Sequence, residues 1–364
     1  LEFYSNSGGI SNDSISANRV LDDARESVKD ILGLSNYWDL TFTSSATESN
    51  NTVISSFKNA FILSSPVEHK SVLESINYYC PNHIYVNVNQ WGHVELGELK
   101  LLLSDIIPTT RKFNRKFGLI DQPMLVSLMH VNNELGTILD LPSLMEILDG
   151  VREYYPAGLY LHVDASQSLG KLSESWFRLG VDYITGSAHK FNGLKGIGLL
   201  ACRTKEAFLK LRPLLYGGNQ QPLRSSTMNV AGILSTEVAL KELNQDETFY
   251  DRSQQFRRIF LDNVYDGIKL NSSIHGVPWC INMFVPGLDA DEYVMSNATI
   301  TCSTSSACTS GSVHPSHVLR ACGYDDKYIS SCVRLSTDPL SITNPGQEGL
   351  QLAEAFNDSI TSFR

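Results

Sequence analysis

The sequence predicts an α/β fold: a large domain on a mostly parallel sheet, followed by a smaller α+β C-terminal domain. Three observations predict it. Short apolar runs alternate with helical apolar spacing from residue 17 to residue 202, the pattern of strand–helix units packed into a parallel sheet covered on both faces. Polar, reactive residues gather directly after five of those runs, where open parallel sheets place their ligands. Beyond about residue 235 the alternation gives way to a polar helix over 234–267, read as a connector, and then to shorter strands and helices. The large domain is expected over 13–240 and the small one over 241–364, with residues 1–12 packing with the small one.

Taken in order, residues 17–32 carry Val20, Leu21, Ala24, Val28, Ile31 and Leu32 at helical spacing. A strand over 40–43 runs into Ser44-Ser45-Ala46-Thr47-Glu48, which opens a helix. Such a hydroxyl-rich helix start is either an anion site or an ordinary N-cap. A strand over 61–64 precedes a helix over 67–78 that begins with Glu68 and His69, and a strand over 83–88 precedes a helix over 96–106. The strand over 124–129 ends in His130, Asn132, Asn133 and Glu134, and a helix over 141–154 follows. The strand over 159–163 ends in Asp164 and Gln167, that over 181–185 ends in Ser187, His189 and Lys190, and 196–202 is the seventh strand. The glycines of 193–198 precede a strand rather than follow one, which excludes a dinucleotide loop.

An acid at one strand end and a lysine at a nearby one are what a pyridoxal-phosphate site requires: the lysine holds the aldehyde, and the acid keeps the pyridine nitrogen protonated. The same pair can be a salt bridge above a sheet. A second chemical stretch, residues 302–320, is rich in Ser, Thr and Gly around Cys308, a setting in which a thiol is exposed and can react, or is a surface cysteine of no consequence. Arg334 ends a strand-like run and could clamp a carboxylate.

The bulk composition narrows the class. With 364 residues, 42% hydrophobic and 19% charged, the chain suits a soluble globular protein. Its net charge of −10 argues against a nucleic-acid surface, and the one basic cluster, at 111–116, reads as a solvated loop. No apolar run approaches a membrane span, and the first residues show no secretory signal. Seven cysteines, odd in number and without CxxC spacing, fit neither a disulfide scaffold nor a zinc site, so no metal is expected and a reducing compartment such as the cytoplasm is.

Together these stretches resemble the cysteine desulfurases, the NifS/IscS-like branch of the class V aminotransferase superfamily, from about residue 17 to about residue 340. The most specific pieces are FTSSATESNN (42–51), VEHKSVL (67–73), MHVNNELG (129–136), HVDASQSLGK (162–171), SAHK (187–190) and SSACTSGSVHPSHVLRA (305–321). The resemblance implies a PLP-dependent enzyme of fold type I with a seven-stranded sheet, pyridoxal 5′-phosphate as cofactor and L-cysteine as substrate. Lys190 takes the place of the Schiff-base lysine and Asp164 that of the pyridine-nitrogen partner. Gln167 and Asn133 match groups near the ring hydroxyl and the substrate imine, and His69 the imidazole stacked on the ring. Ala46, Thr47, Ser187 and His189 match phosphate ligands. Thr227 matches a threonine that reaches the phosphate of the neighbouring subunit, which implies a homodimer. Cys308 matches the persulfide-forming cysteine, and Asn282 and Arg334 match positions near the substrate carboxylate. The sulfur then passes to an acceptor protein, a scaffold for iron–sulfur clusters or a thio-modification enzyme.

This sequence also departs from the family pattern. A DNAATTP-like opening turn is not found, so the chain either starts late or lacks that element. The GNPSS-like turn survives only as Ser5-Asn6-Ser7-Gly8-Gly9. Ala188 stands for the Gly of SGHK, Leu194 for the Pro of GPKG, and YGGNQQPLRSST (216–227) for GGGQERxxRSGT. Residues around 111–123 and before Tyr155 read as loop insertions, and any scaffold-binding tail after the last helix is short or missing. Two alternatives stay open beside the desulfurase: a selenocysteine lyase, and a PLP-fold protein of reduced activity acting mainly as a binding partner.

Overall fold

The structure, a computed structural model, describes residues 5–34, 37–105, 122–172, 180–218, 220–297, 299–304 and 315–363. The chain divides into two compact units. The first takes residues up to Val86, Leu96–His130 and Asp140–Gln245; the second takes Asn87–Glu95, Val131–Leu139 and Asp246–Arg364.

In the first unit, helix α1 (Asn12–Ile31) starts earlier than its apolar spacing suggests, because Ser11 caps it through the Ser14 N–H at 3.2 Å. Strand β1 (Asp39–Thr43) leads into α2 (Ala46–Ser56), β2 (Phe61–Ser64) into α3 (Lys70–Tyr79), and β3 (His83–Tyr85) is short. Helix α4 covers residues 96–105. Then come β4 (Met124–Met129), α5 (Leu141–Asp149), β5 (Leu159–Asp164), β6 (Tyr183–Ser187), β7 (Gly198–Cys202), α6 (Lys205–Lys210) and α7 (Val230–Gln245). The helix expected to run to 154 ends at Asp149, with Gly150 as its C-cap. Strand β6 begins later than the apolar run at 181, where the Asp182 carboxylate accepts the Leu161 N–H at 2.9 Å.

The seven strands form one sheet in the order β1-β7-β6-β5-β4-β2-β3. All run parallel except β7, which is antiparallel to both neighbours, β1 and β6. The carboxyl ends of β1, β2, β4, β5 and β6 therefore share one edge. Strands β4 and β5 are buried along their whole length, as strands covered on both faces must be. Phe57 at the end of α2 packs its ring on Tyr160 and Tyr183 of the sheet, with centroids at 5.4 and 5.7 Å.

The polar connector expected over 234–267 is two helices, α7 and α8 (Phe249–Asn263). Between them the Asp246 carboxylate accepts from the Thr248 N–H at 3.1 Å and from Arg252 Nη2 at 2.6 Å, an Asx turn that interrupts the helical ladder. The second unit holds a four-stranded antiparallel sheet in the order β10-β11-β9-β8, from β8 (Lys269–Leu270), β9 (Cys280–Phe284), β10 (Ser303–Thr304) and β11 (Cys332–Ser336). Helices α9 (Ala290–Ser296), α10 (His317–Ala321), α11 (Asp326–Ile329) and α12 (Pro345–Phe363) complete it. Its core joins Phe260 of α8 to Phe356 of α12 and to Ile281, Met283 and Val333 of the sheet. Among the described residues no helix is long and apolar enough to cross a membrane, and no group of His, Cys, Asp or Glu could hold a metal ion.

Candidate active site

At the carboxyl end of β1 the chain turns through Ser44 and Ser45 into α2. Ser45 Oγ caps the Glu48 N–H at 3.3 Å, and Glu48 Oε2 reaches back to the Ser44 N–H at 2.7 Å. The N–H groups of Ala46 and Thr47 occupy the first turn, where no carbonyl within the helix can reach them. Thr47 is exposed, so its hydroxyl joins those amides at the helix N-terminus.

Three residues past β6 lies Lys190, exposed, in a short 3₁₀ turn (Ala188–Phe191) closed by Asn192 in the left-handed region. Ser187 Oγ lies 3.0 Å from His189 Nδ1. Burial and the neighbouring charges of Lys190 and Lys195 hold His189 below the ordinary histidine range. Gly198, opening β7, pairs with Thr43 on one side and Ser187 on the other. A Cβ there would overlap the Ser45 carbonyl group, so the missing side chain lets the β1–α2 turn lie against the sheet. The donors gathered here, two amides with hydroxyls and an imidazole, suit a phosphate.

Asp164, 4% exposed, ends β5. Its Oδ1 accepts from the Ser166 N–H at 3.0 Å and from Ser166 Oγ at 2.5 Å; its Oδ2 accepts from Asn50 Nδ2 at 2.8 Å. Gln167 is half-buried in the same turn. His69 is the N-cap of α3; its Nδ1 accepts from the Ser71 N–H at 3.1 Å and lies 2.8 Å from Ser71 Oγ. The ring proton is therefore assigned to Nε2. An acid and a lysine on adjacent parallel strands, with an imidazole two strands beyond, suit an aromatic nitrogen heterocycle that carries an aldehyde.

Sequence reasoning missed the groups behind these. Asn50 Nδ2 also donates to Ser71 Oγ at 2.9 Å, and Asn50 Oδ1 accepts from Thr185 Oγ1 at 2.5 Å. Thr185 Oγ1 lies 3.2 Å from His162 Nε2, and His162 Nδ1 lies 2.8 Å from Ser127 Oγ. Glu68, 1% exposed, takes the Ser65 hydroxyl at 2.6 Å, and burial pushes its carboxyl up to about 8. Glu68 precedes His69, and Asn50, Ser71 and His162 lie inside the stretches that carry the family resemblance, but no role for any of them follows from the sequence.

In the second unit, Arg334 of β11 faces Asn282 of β9 in register. Arg334 Nη1 donates to the Asn133 carbonyl at 2.9 Å, while its Nε is buried with no hydrogen-bond partner. That spare donor suits a carboxylate. Asn282 is fully buried, and its Oδ1 accepts from Asn271 Nδ2 at 2.8 Å. Thr227 is exposed; the residue before it, Ser226, has φ 135°. Cys308 lies outside the described residues. Cys302 is half-buried, and burial pushes its thiol up to about 11.

The chain is similar to curated proteins and solved structures over nearly its whole length. It is 32% identical over 341 residues to the cysteine desulfurase IscS of Buchnera aphidicola from Schizaphis graminum, covering 88% of this chain and 77% of that protein. It is 30% identical to the mitosomal cysteine desulfurase of Trachipleistophora hominis, covering 93% and 77%. A solved NifS-like protein superposes with a TM-score of 0.81 at 30% identity, covering 100% of this chain and 93% of that one. Such relatives fit the type I fold of PLP enzymes described above. The model of the family described as aminotransferase class-V matches residues 2–336, and this chain belongs to that family.

Proposed function

We propose that this chain is a pyridoxal 5′-phosphate-dependent cysteine desulfurase that converts L-cysteine to L-alanine and leaves a persulfide on Cys308. The observation that carries the reading is the shared sheet edge. It sets the buried, triply hydrogen-bonded Asp164 on the strand beside the one that leads to Lys190, with anion donors at Ala46, Thr47 and Ser187. Membership of a family whose cofactor is pyridoxal phosphate supports it.

Bound there, pyridoxal phosphate would supply the electron sink for a carbanion at the substrate α-carbon. Ala46, Thr47, Ser187 and His189 would hold its phosphate, with Thr227 contributed by the second subunit of a homodimer. Asp164 would hold the proton on the ring nitrogen, Gln167 would face the ring hydroxyl, and His69 would cover the ring. Lys190 would hold the aldehyde and would move protons at the substrate α-carbon. Arg334, Asn282 and Asn133 would orient the substrate carboxylate and amine. The Cys308 thiolate would attack the substrate sulfur: the S–S bond forms as the Cβ–S bond breaks, the electron pair of that bond stays with the carbon fragment, and Cβ takes up a proton so that the fragment leaves as alanine. The persulfide then passes to an acceptor protein, for iron–sulfur clusters or thio-modification, in a reducing compartment.

The test is to load the purified protein with pyridoxal phosphate and supply cysteine or selenocysteine. Equal amounts of alanine and Cys308-bound persulfide from cysteine support the reading. Turnover of selenocysteine alone makes the protein a lyase instead. A second reading, reduced catalysis with a mainly binding role, draws on Ser226: it holds a positive φ at the position where the family pattern has Gly, beside Thr227. Pyridoxal-phosphate binding without alanine formation would favour it.

A further inference from the structure

The buried hydrogen bonds behind Asp164 have a direction. A backbone N–H always donates, so His69 Nδ1 is an acceptor for the Ser71 N–H. Asn50 Nδ2 donates to Asp164 Oδ2 and to Ser71 Oγ, and a carboxylate can only accept. The Asn50 amide is thereby fixed: its Oδ1 faces Thr185, so the Thr185 hydroxyl must donate to it. The Thr185 oxygen is then left to accept from His162 Nε2, and His162 Nδ1 is left to accept from the Ser127 hydroxyl. Every donor from Ser127 to Asn50 points the same way along the chain of bonds, toward the Asp164 carboxylate. Burial keeps His162 uncharged by pushing it down to about 4, against the opposing pull of the Asp164 charge.

We propose that Asn50 is the positioning residue of this site. Its one amide joins the Asp164 carboxylate to the Ser71–His69 pair, and Thr185 and His162 lock it in the only orientation that serves both. Asn50, His162 and Thr185 are fully buried, so water cannot replace a lost partner. A flipped Asn50 would turn its carbonyl oxygen on the carboxylate. The junction therefore sets the angle of the acid and the placement of the imidazole together, although Asn50 need not touch a ligand. The functional consequence rests on the pyridoxal-phosphate reading; the relay itself does not.

Imidazole ¹⁵N spectra of the cofactor-free wild type test the relay directly. The relay requires His162 to carry its proton on Nε2, and a proton on Nδ1 would overturn the proposal without any variant. In Asn50→Leu the Thr185 hydroxyl loses its acceptor and can turn to His162, so a mixture of His162 tautomers is expected. Cofactor affinity is the second readout, measured by equilibrium dialysis of pyridoxal phosphate. Loss of one buried bond to a charged group predicts weakening by about tenfold to a hundredfold in Asn50→Leu. Several-fold weakening is expected in Thr185→Val, a nearly isosteric change one bond removed from Asp164. Wild-type affinity in both variants rejects the positioning role. A wild type that binds no pyridoxal phosphate instead rejects the functional reading, and the tautomer result still decides the relay.

Discussion

A Cβ on Gly198 would overlap the carbonyl carbon of Ser45, closer than any packing allows. Gly198→Ala must therefore push the β1–α2 turn away from the sheet and carry Ala46 and Thr47 with it. The expected result is a loss of about 1–3 kcal/mol of stability from overpacking, with weaker pyridoxal-phosphate binding. Thermal melting and cofactor dialysis read the two effects. Unchanged affinity would separate the turn from the phosphate.

Ser226 stands at φ 135°, in backbone space that favours glycine. Its N–H is held by Gln220 Oε1 at 3.1 Å, which keeps the loop in that shape. Ser226→Gly should relieve the strain and raise stability by about 1 kcal/mol, seen as a higher denaturant midpoint. A lower midpoint would mean that the serine side chain contributes more than its backbone strain removes.

Glu68 has a folded-state value of about 8 against an ordinary 4.5, chiefly because burial disfavours its charge and secondarily because Asp164 is near. Its stabilising contribution is full below pH 4.5 and is lost as pH rises through 8. Every tenfold gain in proton affinity on folding is worth about 1.4 kcal/mol, so a few kcal/mol disappear over that window. Glu68→Gln, which cannot ionise, should match the wild type near pH 4.5 and exceed it above pH 8. Parallel stability curves for the two proteins would contradict the assignment.

Lys190→Ala should abolish the covalent hold on the cofactor. After borohydride reduction the wild type should gain the mass of the reduced cofactor and the variant none. Turnover should fall by at least about a thousandfold, as expected when a covalent catalyst is removed. A persistent adduct, for example on Lys195, would move the role to another residue.

Cys302 and Cys308 are the two thiols of the polar stretch. Burial keeps Cys302 protonated at neutral pH, with its thiol near 11, and a thiol is a poor nucleophile beside a thiolate. Cys302→Ser should release alanine at nearly the wild-type rate, whereas Cys308→Ser should bind cofactor and cysteine and release almost none. Mass measurement of the persulfide identifies the carrier. Persulfide on Cys302 would reverse the assignment.

The polar residues at strand ends were legible in the sequence, because an apolar run that stops abruptly in Asp164 or in Ser187-Ala188-His189-Lys190 marks both the strand and its functional end. Asn50 was not. It sits mid-helix, and its partners Ser71, Asp164 and Thr185 are distant in sequence. Its meaning appears only once the strands are aligned. The direction of β7 was equally invisible, since antiparallel and parallel buried strands carry the same apolar residues. The break between α7 and α8 had a local cause in Asp246 and Thr248, but a polar surface helix can carry the same residues. Nothing in the patterning of 87–95 or 131–139 sets them apart from the first unit, because compactness follows contacts rather than composition.

The pairing of β1 with β7 has a consequence for synthesis. Thr43 pairs across to a strand that begins more than 150 residues later, at Gly198. On a ribosome adding about 5–20 residues per second, the β1–α2 segment waits about 10–30 s for this sheet partner. During that interval Leu40 and Phe42, both buried in the finished protein, lack their sheet partner. A nascent chain paused before Gly198 should therefore be a preferred client for chaperones that bind apolar segments, and synonymous codon changes that slow the stretch from Met124 to Gly198 should lower the yield of folded protein without altering a residue of the site.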